Sequence, residues 1–221
     1  MQELTVRSES IQRIYSYYLE HTLIVNRRYQ RKLVWSIEEK ASFIDSIIKS
    51  YPVPLILLAE SKDGERTILE IIDGMQRLNA ITAFIENEFS VEEGYFDLEA
   101  IAETKLLKDQ NILVQKNPIM DRKICAEIAS YVLPMSTYKS ASEKEIDEVF
   151  RRINANGKHL SRQEIRQAGA LSIFADLIRQ ISSEIRGDVS LRNRIALNNM
   201  KEISITSRDL MYGPLSRFST N

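Results

Sequence analysis

The sequence holds one cysteine, Cys125, and two histidines, His21 and His159. A lone cysteine excludes an internal disulfide framework and suits a reducing compartment, so the chain is read as cytoplasmic. Those three residues are also too few ligands for a zinc site, and the histidines form no His-rich nuclease pattern. No apolar run reaches the length of a membrane span, and the first residues lack a secretory-signal pattern, so no membrane partner is expected. Neither sign of charge dominates. The 30 Lys and Arg against 31 Asp and Glu leave a formal net charge of −1, which excludes binding to DNA through an overall field. Local basic clusters remain compatible with that total. Also missing are an internal repeat, a low-complexity linker and the compact carboxylate set that a nuclease metal site needs.

What is present is a globular composition, 43% hydrophobic and 28% charged over 221 residues. It suffices for one good core, or for one domain with a small helical appendage. Apolar spacing at Ile11, Ile14, Tyr15 and Tyr18 predicts a helix over residues 8–20, followed by a short strand at Leu23 to Val25. Ser36 with Glu39 reads as a capping box opening a helix whose buried stripe is Ile37, Ala41, Ile44 and Ile48, stopped by Pro52 and Pro54. Leu55 to Ala59 and Arg66 to Ile72 read as a hairpin about Lys62-Asp63-Gly64-Glu65. Further on, Asn111 to Gln115 looks like a strand, 95–108 is ambiguous, and a strand is expected near Tyr131 to Met135.

A second capping box, Ser142 with Glu145, opens a helix through Ile146, Val149, Phe150 and Ile153, which Asn156-Gly157 ends. A third, Ser161 with Glu164, starts a helical region through Ile181, with Leu191, Ile195 and Leu197 as weaker helical anchors. Arg192 and Arg194 read most simply as a solvated helix face, and Cys125 as a small buried hydrophobe. The order is that of an α+β fold, with a core over 1–140 and a helical C-terminal part over 141–221 packed on it.

The most informative stretch is Ile71-Ile72-Asp73-Gly74-Met75-Gln76-Arg77-Leu78. A β-branched strand breaks at Asp73-Gly74, and an apolar-periodic helix follows through Leu78, Ile81 and Ile85. Such a turn presents backbone N–H groups at a helix N-terminus, where the dipole favours an anion. Arg77 is a cation in the first helical turn, opposing the dipole, so helix stability does not account for it. Leaning back along the helix, its guanidinium can close over a phosphate held by the turn. Taken alone, a turn with a surface arginine explains the motif about as well.

Two further segments accompany it: Arg28-Tyr29-Gln30-Arg31-Lys32-Leu33-Val34-Trp35, and Phe150-Arg151-Arg152-Ile153-Asn154-Ala155-Asn156-Gly157-Lys158-His159-Leu160-Ser161. With the turn, they resemble the ParB/sulfiredoxin-like N-terminal domain of GmrSD-type (type IV) restriction endonucleases, whose hallmark is a DGQQR motif. The first matches the family's QR-x-x-x-W entry and the last its F-x-R-I-N-x-x-G-x-x-L-S/T segment. Met75 stands where the family usually has Gln. The resemblance runs from about Leu23 to about Ala170.

The resemblance implies a ParB/sulfiredoxin-like core and nucleotide handling, either as an Mg²⁺-dependent NTPase-like domain of a DNA restriction or anti-phage system or as a ParB-like module that binds without hydrolysis. It implies that Gly74 admits phosphates to the backbone, that Arg77 neutralises them, and that Gln30 and Arg31 form a second clamp. Asp73 would hold Mg²⁺, Gln76 would orient a water, and Asn154 would meet a base, a ribose or the metal shell. Asp73, Gln76 and Arg77 are thus the candidate catalytic residues. The implied partners are a nucleoside triphosphate, DNA, and a separate HNH-type nuclease subunit. Relatives usually continue into a helical region and an HNH domain; no such pattern is visible before Asn221, so the chain by itself is not expected to be the nuclease.

Overall fold

Six strands make one mixed sheet, seen in a computed structural model that describes residues 4–26, 33–139, 143–156 and 194–201. Strand β1 (Leu4–Ser10) leads directly into helix α1 (Ile11–Leu19), where the Ser10 hydroxyl accepts from the Arg13 N–H at 3.2 Å and caps it. Strand β2 (Leu23–Asn26) follows, then helix α2 (Ile37–Ile48). The hairpin of β3 (Ile56–Asp63) and β4 (Arg66–Asp73) feeds helix α3 (Met75–Ile85). Helices α4 (Ala102–Asp109) and α5 (Arg122–Ser130) precede strand β5 (Val132–Lys139) and helix α6 (Glu143–Asn156). A short strand, β6 (Arg194–Ala196), runs into a 3-10 turn at Leu197–Lys201.

The strand order is β1-β5-β3-β4-β2-β6. Strands β2 and β4 pair in parallel, as do β3 and β5, while β1/β5, β3/β4 and β2/β6 are antiparallel. The mixed sheet with helices agrees with the expected α+β class. One face is covered by α1, α2, α3 and α5, and the core there includes Tyr15, Ile44, Ile56, Leu58, Ile71, Leu78, Phe84 and Ile128. On the other face Ile146 and Phe150 of α6 close over Leu57, Ala59 and Ile72.

Several local expectations hold. Ser36 and Glu39 form the full capping box, at 3.3 Å and 2.8 Å. The short strand at residue 23, the hairpin, the strand after residue 131 and the helix from Ile146 to Ile153 are all present. Ser142 and the segment around Ser161 lie outside the described residues.

Other expectations are corrected. Residues 8–10 belong to β1, because Ser8, Glu9 and Ser10 pair with Pro134, Leu133 and Val132 of β5, a partner that local periodicity does not reveal. In α2, Ile44 is buried and Ala41 and Ile48 pack against the core as expected, with Phe43 and Ile47 added, but Ile37, at the first turn, is 60% exposed because the core does not extend under it. Residues 111–115 form no strand. Ile112 and Val114 face solvent, and Gln115 instead ties the loop by donating to Asn87 Oδ1 at 3.0 Å and accepting from the Leu98 N–H at 2.8 Å. Arg194 and Ile195 are in a strand, not a helix, because β2 supplies an edge for them to pair with.

Candidate functional site

Strands β2 and β4 run in parallel, with Val25 opposite Ile71, so their C-terminal ends emerge side by side. In open sheets with helical connections, a crevice at such strand ends is the usual place for a ligand. Asp73 ends β4, and Gly74 makes the turn at φ +100°, a conformation side-chain-bearing residues rarely adopt. Gly74 is the N-cap of α3, and no side chain caps that helix. A β-bulge shapes the approach. Leu57 pairs with Asp73 but Leu58 pairs with Ile71, so Ile72 is an extra residue in β4. Bulges re-aim the side chains beside them. Here one sets Asp73 across from Leu57, on the sheet face under α6.

Arg77, one turn into α3, folds back on this turn as the helical lean requires. Its Nη2 donates to Asp73 Oδ2 at 2.6 Å and its Nη1 to the Leu55 carbonyl at 3.1 Å. The guanidinium is 11% exposed and the Asp73 carboxylate 49% exposed. The arginine therefore ties β4 to the approach of β3, and a guanidinium has five N–H donors, more than those two contacts use. Gln76 points the other way. Its Oε1 accepts from the backbone N–H of Val34 at 3.1 Å and of Trp35 at 3.3 Å. Trp35 packs edge-on against Phe43 at 5.6 Å.

One end of the connection carrying Gln30 and Arg31, at Val34 and Trp35, thus stands beside the first turn of α3 through Gln76, while the other, Asn26, ends β2 and reaches Glu70 of β4. Gln30 and Arg31 themselves lie outside the described residues. Asn154 falls in the last turn of α6, with its side chain outside them too. The structure thus brings Asp73, Gly74, Gln76 and Arg77 together and leaves Gln30, Arg31 and the Asn154 side chain unplaced. Met75 faces the core, 6% exposed, within the main apolar cluster.

Two features escaped the sequence reading. Glu70, on β4 and 1% exposed, accepts from Asn26 Nδ2 at 2.8 Å and lies 2.9 Å from Arg194 Nη2 of β6. It joins three adjacent strands, and Arg194, half-buried, pairs with it from a strand rather than lying on a solvated helix face. The other is Asn79 in α3, a 1%-exposed amide among apolar neighbours. Nothing local marks the first, whose members are remote in sequence; a lone polar residue inside an apolar helix was the available signal for the second.

A cation at the turn would rest on Asp73. Among the described residues no group of three or more His, Cys, Asp or Glu stands close enough to cage a metal. Magnesium does not need one, since it is commonly held by one or two carboxylates with phosphate and water oxygens. A half-exposed carboxylate beside a glycine turn at a helix N-terminus would fit that mode.

The family model for the N-terminal domain of GmrSD restriction endonuclease matches residues 11–171. The chain belongs to this family. The match spans the turn, the entry segment through Trp35 and the segment from Phe150 to Ser161. Among curated proteins, none matches the chain significantly. Among the described residues, no helix is long and apolar enough to cross a membrane.

Proposed function

We propose that this GmrSD-type domain binds a nucleoside triphosphate with Mg²⁺ at the β4–α3 turn, within a ParB/sulfiredoxin-like core. In this reading it is the nucleotide-responsive part of a cytoplasmic DNA restriction or anti-phage system whose nuclease is HNH-type. One observation carries it: Gly74, at φ +100°, caps α3 without a side chain and stands beside a cation one turn away. An uncapped helix N-terminus with an adjacent guanidinium is a site for an anion. Gly74 admits the phosphates to the backbone, Arg77 neutralises them, and Gln30 and Arg31 would add a second phosphate clamp. Asp73 would hold the magnesium, which neutralises phosphate charge when bound. Asn154 would meet the nucleotide or the metal's outer shell, and DNA and the nuclease subunit would be the downstream partners.

A second reading, binding without turnover, is favoured by Gln76. Its carbonyl oxygen is engaged by Val34 and Trp35. Orienting a water for hydrolysis therefore requires Gln76 to work through its amide donors or to release that segment.

Calorimetric titration with ATP, GTP, CTP and UTP, with and without Mg²⁺, tests binding. Arg77→Ala should weaken it by about 10- to 100-fold, the worth of a charge-assisted contact, and Asp73→Ala should abolish the Mg²⁺ dependence while circular dichroism stays native. Variants that bind like the wild type would refute the site. Phosphate release then separates the two readings: turnover lost in Gln76→Ala supports the hydrolase, and binding without release supports the regulator.

A further inference from the structure

Helix α3 is buried on nearly every side, with Leu78, Ala80, Ile81, Ala83, Phe84 and Ile85 all in the core. Asn79 sits among them at 1% exposure, and neither Nδ2 nor Oδ1 has a hydrogen-bond partner. Native proteins leave few buried polar groups unsatisfied, and each one calls for a cause. A leucine of similar size would remove the penalty, so folding alone does not explain the amide.

Its position supplies a cause. Asn79 follows Met75 by four residues and Gln76 by three, so it shares their side of the helix. Helical side chains lean toward the N-terminus, which carries the amide back toward the first turn on the side of Gln76, whose Oε1 holds the Val34–Trp35 backbone. Phosphates at Gly74 would lie about five residues, on the order of 7.5 Å, further up the axis.

We propose that Asn79 recognises the nucleoside end of the nucleotide whose phosphates the Gly74 turn holds. This rests on the nucleotide-binding reading above and deepens it. An amide offers a donor and an acceptor side by side, which matches the donor–acceptor edge of a base or the hydroxyls of a ribose. At rest the amide is shut from solvent. The ligand reaches it by displacing the neighbouring Val34–Trp35 backbone, which donates to α3 through a single acceptor, Gln76 Oε1.

The test compares wild type, Asn79→Leu and Asn79→Thr for melting temperature and for affinity toward the four ribonucleotides, their 2′,3′-dideoxy forms and inorganic tripolyphosphate. Asn79→Leu should melt at the same temperature or higher, keep its tripolyphosphate affinity and lose about tenfold or more in nucleotide affinity. A wild type that discriminates among bases assigns the contact to the base; one that discriminates against the dideoxy forms assigns it to the ribose. Nucleotide binding unchanged in Asn79→Leu overturns the proposal, as does an equal loss toward tripolyphosphate. Failure of both variants to fold also overturns it, by making the amide structural. A wild type that binds tripolyphosphate and nucleotides equally refutes the Asn79 role alone. One that binds neither refutes the nucleotide reading first, and this inference with it.

Discussion

Replacing Gly74 by alanine tests the turn on which the site depends. At φ +100° a side-chain-bearing residue is strained, at a cost of about 1–2 kcal/mol. The new Cβ would also meet Ile56 Cγ1 at 3.1 Å and Cγ2 at 3.3 Å, and Ile56 is fully buried in β3 with little room to retreat. Relieving that contact in a packed core adds about 1 kcal/mol, the low end for overpacking. Together they predict a loss of about 2–3 kcal/mol. Gly64 is the internal control. It too has positive φ, +63°, but lies within the ordinary left-handed region with nothing within 4 Å of its Cβ position. Gly64→Ala should therefore cost only about 1 kcal/mol. With a urea m-value of about 2 kcal/mol per molar, the unfolding midpoint should fall by about 1–1.5 M in Gly74→Ala and by about 0.5 M in Gly64→Ala, with m unchanged. Equal midpoints for the two variants would refute the reasoning, because the contact with Ile56 and the more extreme φ would then contribute nothing.

The Glu70 cluster and Cys125 offer two further tests. Glu70→Ala removes the carboxylate paired with the Arg194 guanidinium, 14% exposed, and its hydrogen bond with Asn26, and should cost about 3 kcal/mol in urea unfolding. Glu70→Leu combined with Arg194→Leu should recover most of that loss; no recovery would show that the pair does more than offset its own desolvation. Burial pushes the Cys125 thiol up to about 11 from its ordinary 9.0, so iodoacetamide should leave it unmodified at neutral pH until the chain is unfolded. The unfolded chain then loses the thiol proton first, and the stability this group contributes is lost as pH rises from about 9 to about 11. Tyr15 and Tyr18, raised by burial and then by Glu86, add to the loss above pH 10. A melting temperature that holds level through that window would contradict the burial of these groups.

The strand-turn-helix at Asp73 to Leu78 was legible because each of its signals is local: a β-branched run, a glycine at the break, an apolar period after it. The Ser36–Glu39 capping box was legible for the same reason. What escaped depends on partners far along the chain. Strand β1 exists because Leu4 to Ser10 find β5 more than a hundred residues away, and β6 because β2 has a free edge for Arg194 to Ala196. The Glu70 cluster is likewise three polar residues on three strands, each unremarkable in its own segment. The opposite error arose at Ile112 and Val114, where β-branched residues suggested a strand but no neighbouring edge was there to complete it.

Met75 bears on turnover differently from what its place in a DGQQR-type motif suggests. Its side chain is 6% exposed and packs in the main core, so the departure removes no polar group from the exposed side of the turn. A glutamine in that apolar setting would need a buried partner for its amide, at a cost of about 1–3 kcal/mol if none were found. The thioether avoids that cost. The polar chemistry at the turn therefore rests on Asp73, Gln76 and Arg77, all of them already engaged: Asp73 with Arg77, Arg77 with Leu55, and Gln76 with the Val34–Trp35 backbone. Each engagement ties the first turn of α3 to a neighbouring segment. A nucleotide seated there would compete with Asp73 for Arg77 and bear on the segment held by Gln76. In the proposed reading, displacement of the Val34–Trp35 backbone and release of the Gln76 carbonyl oxygen would be one event, so binding and turnover would meet at Gln76 rather than at Met75.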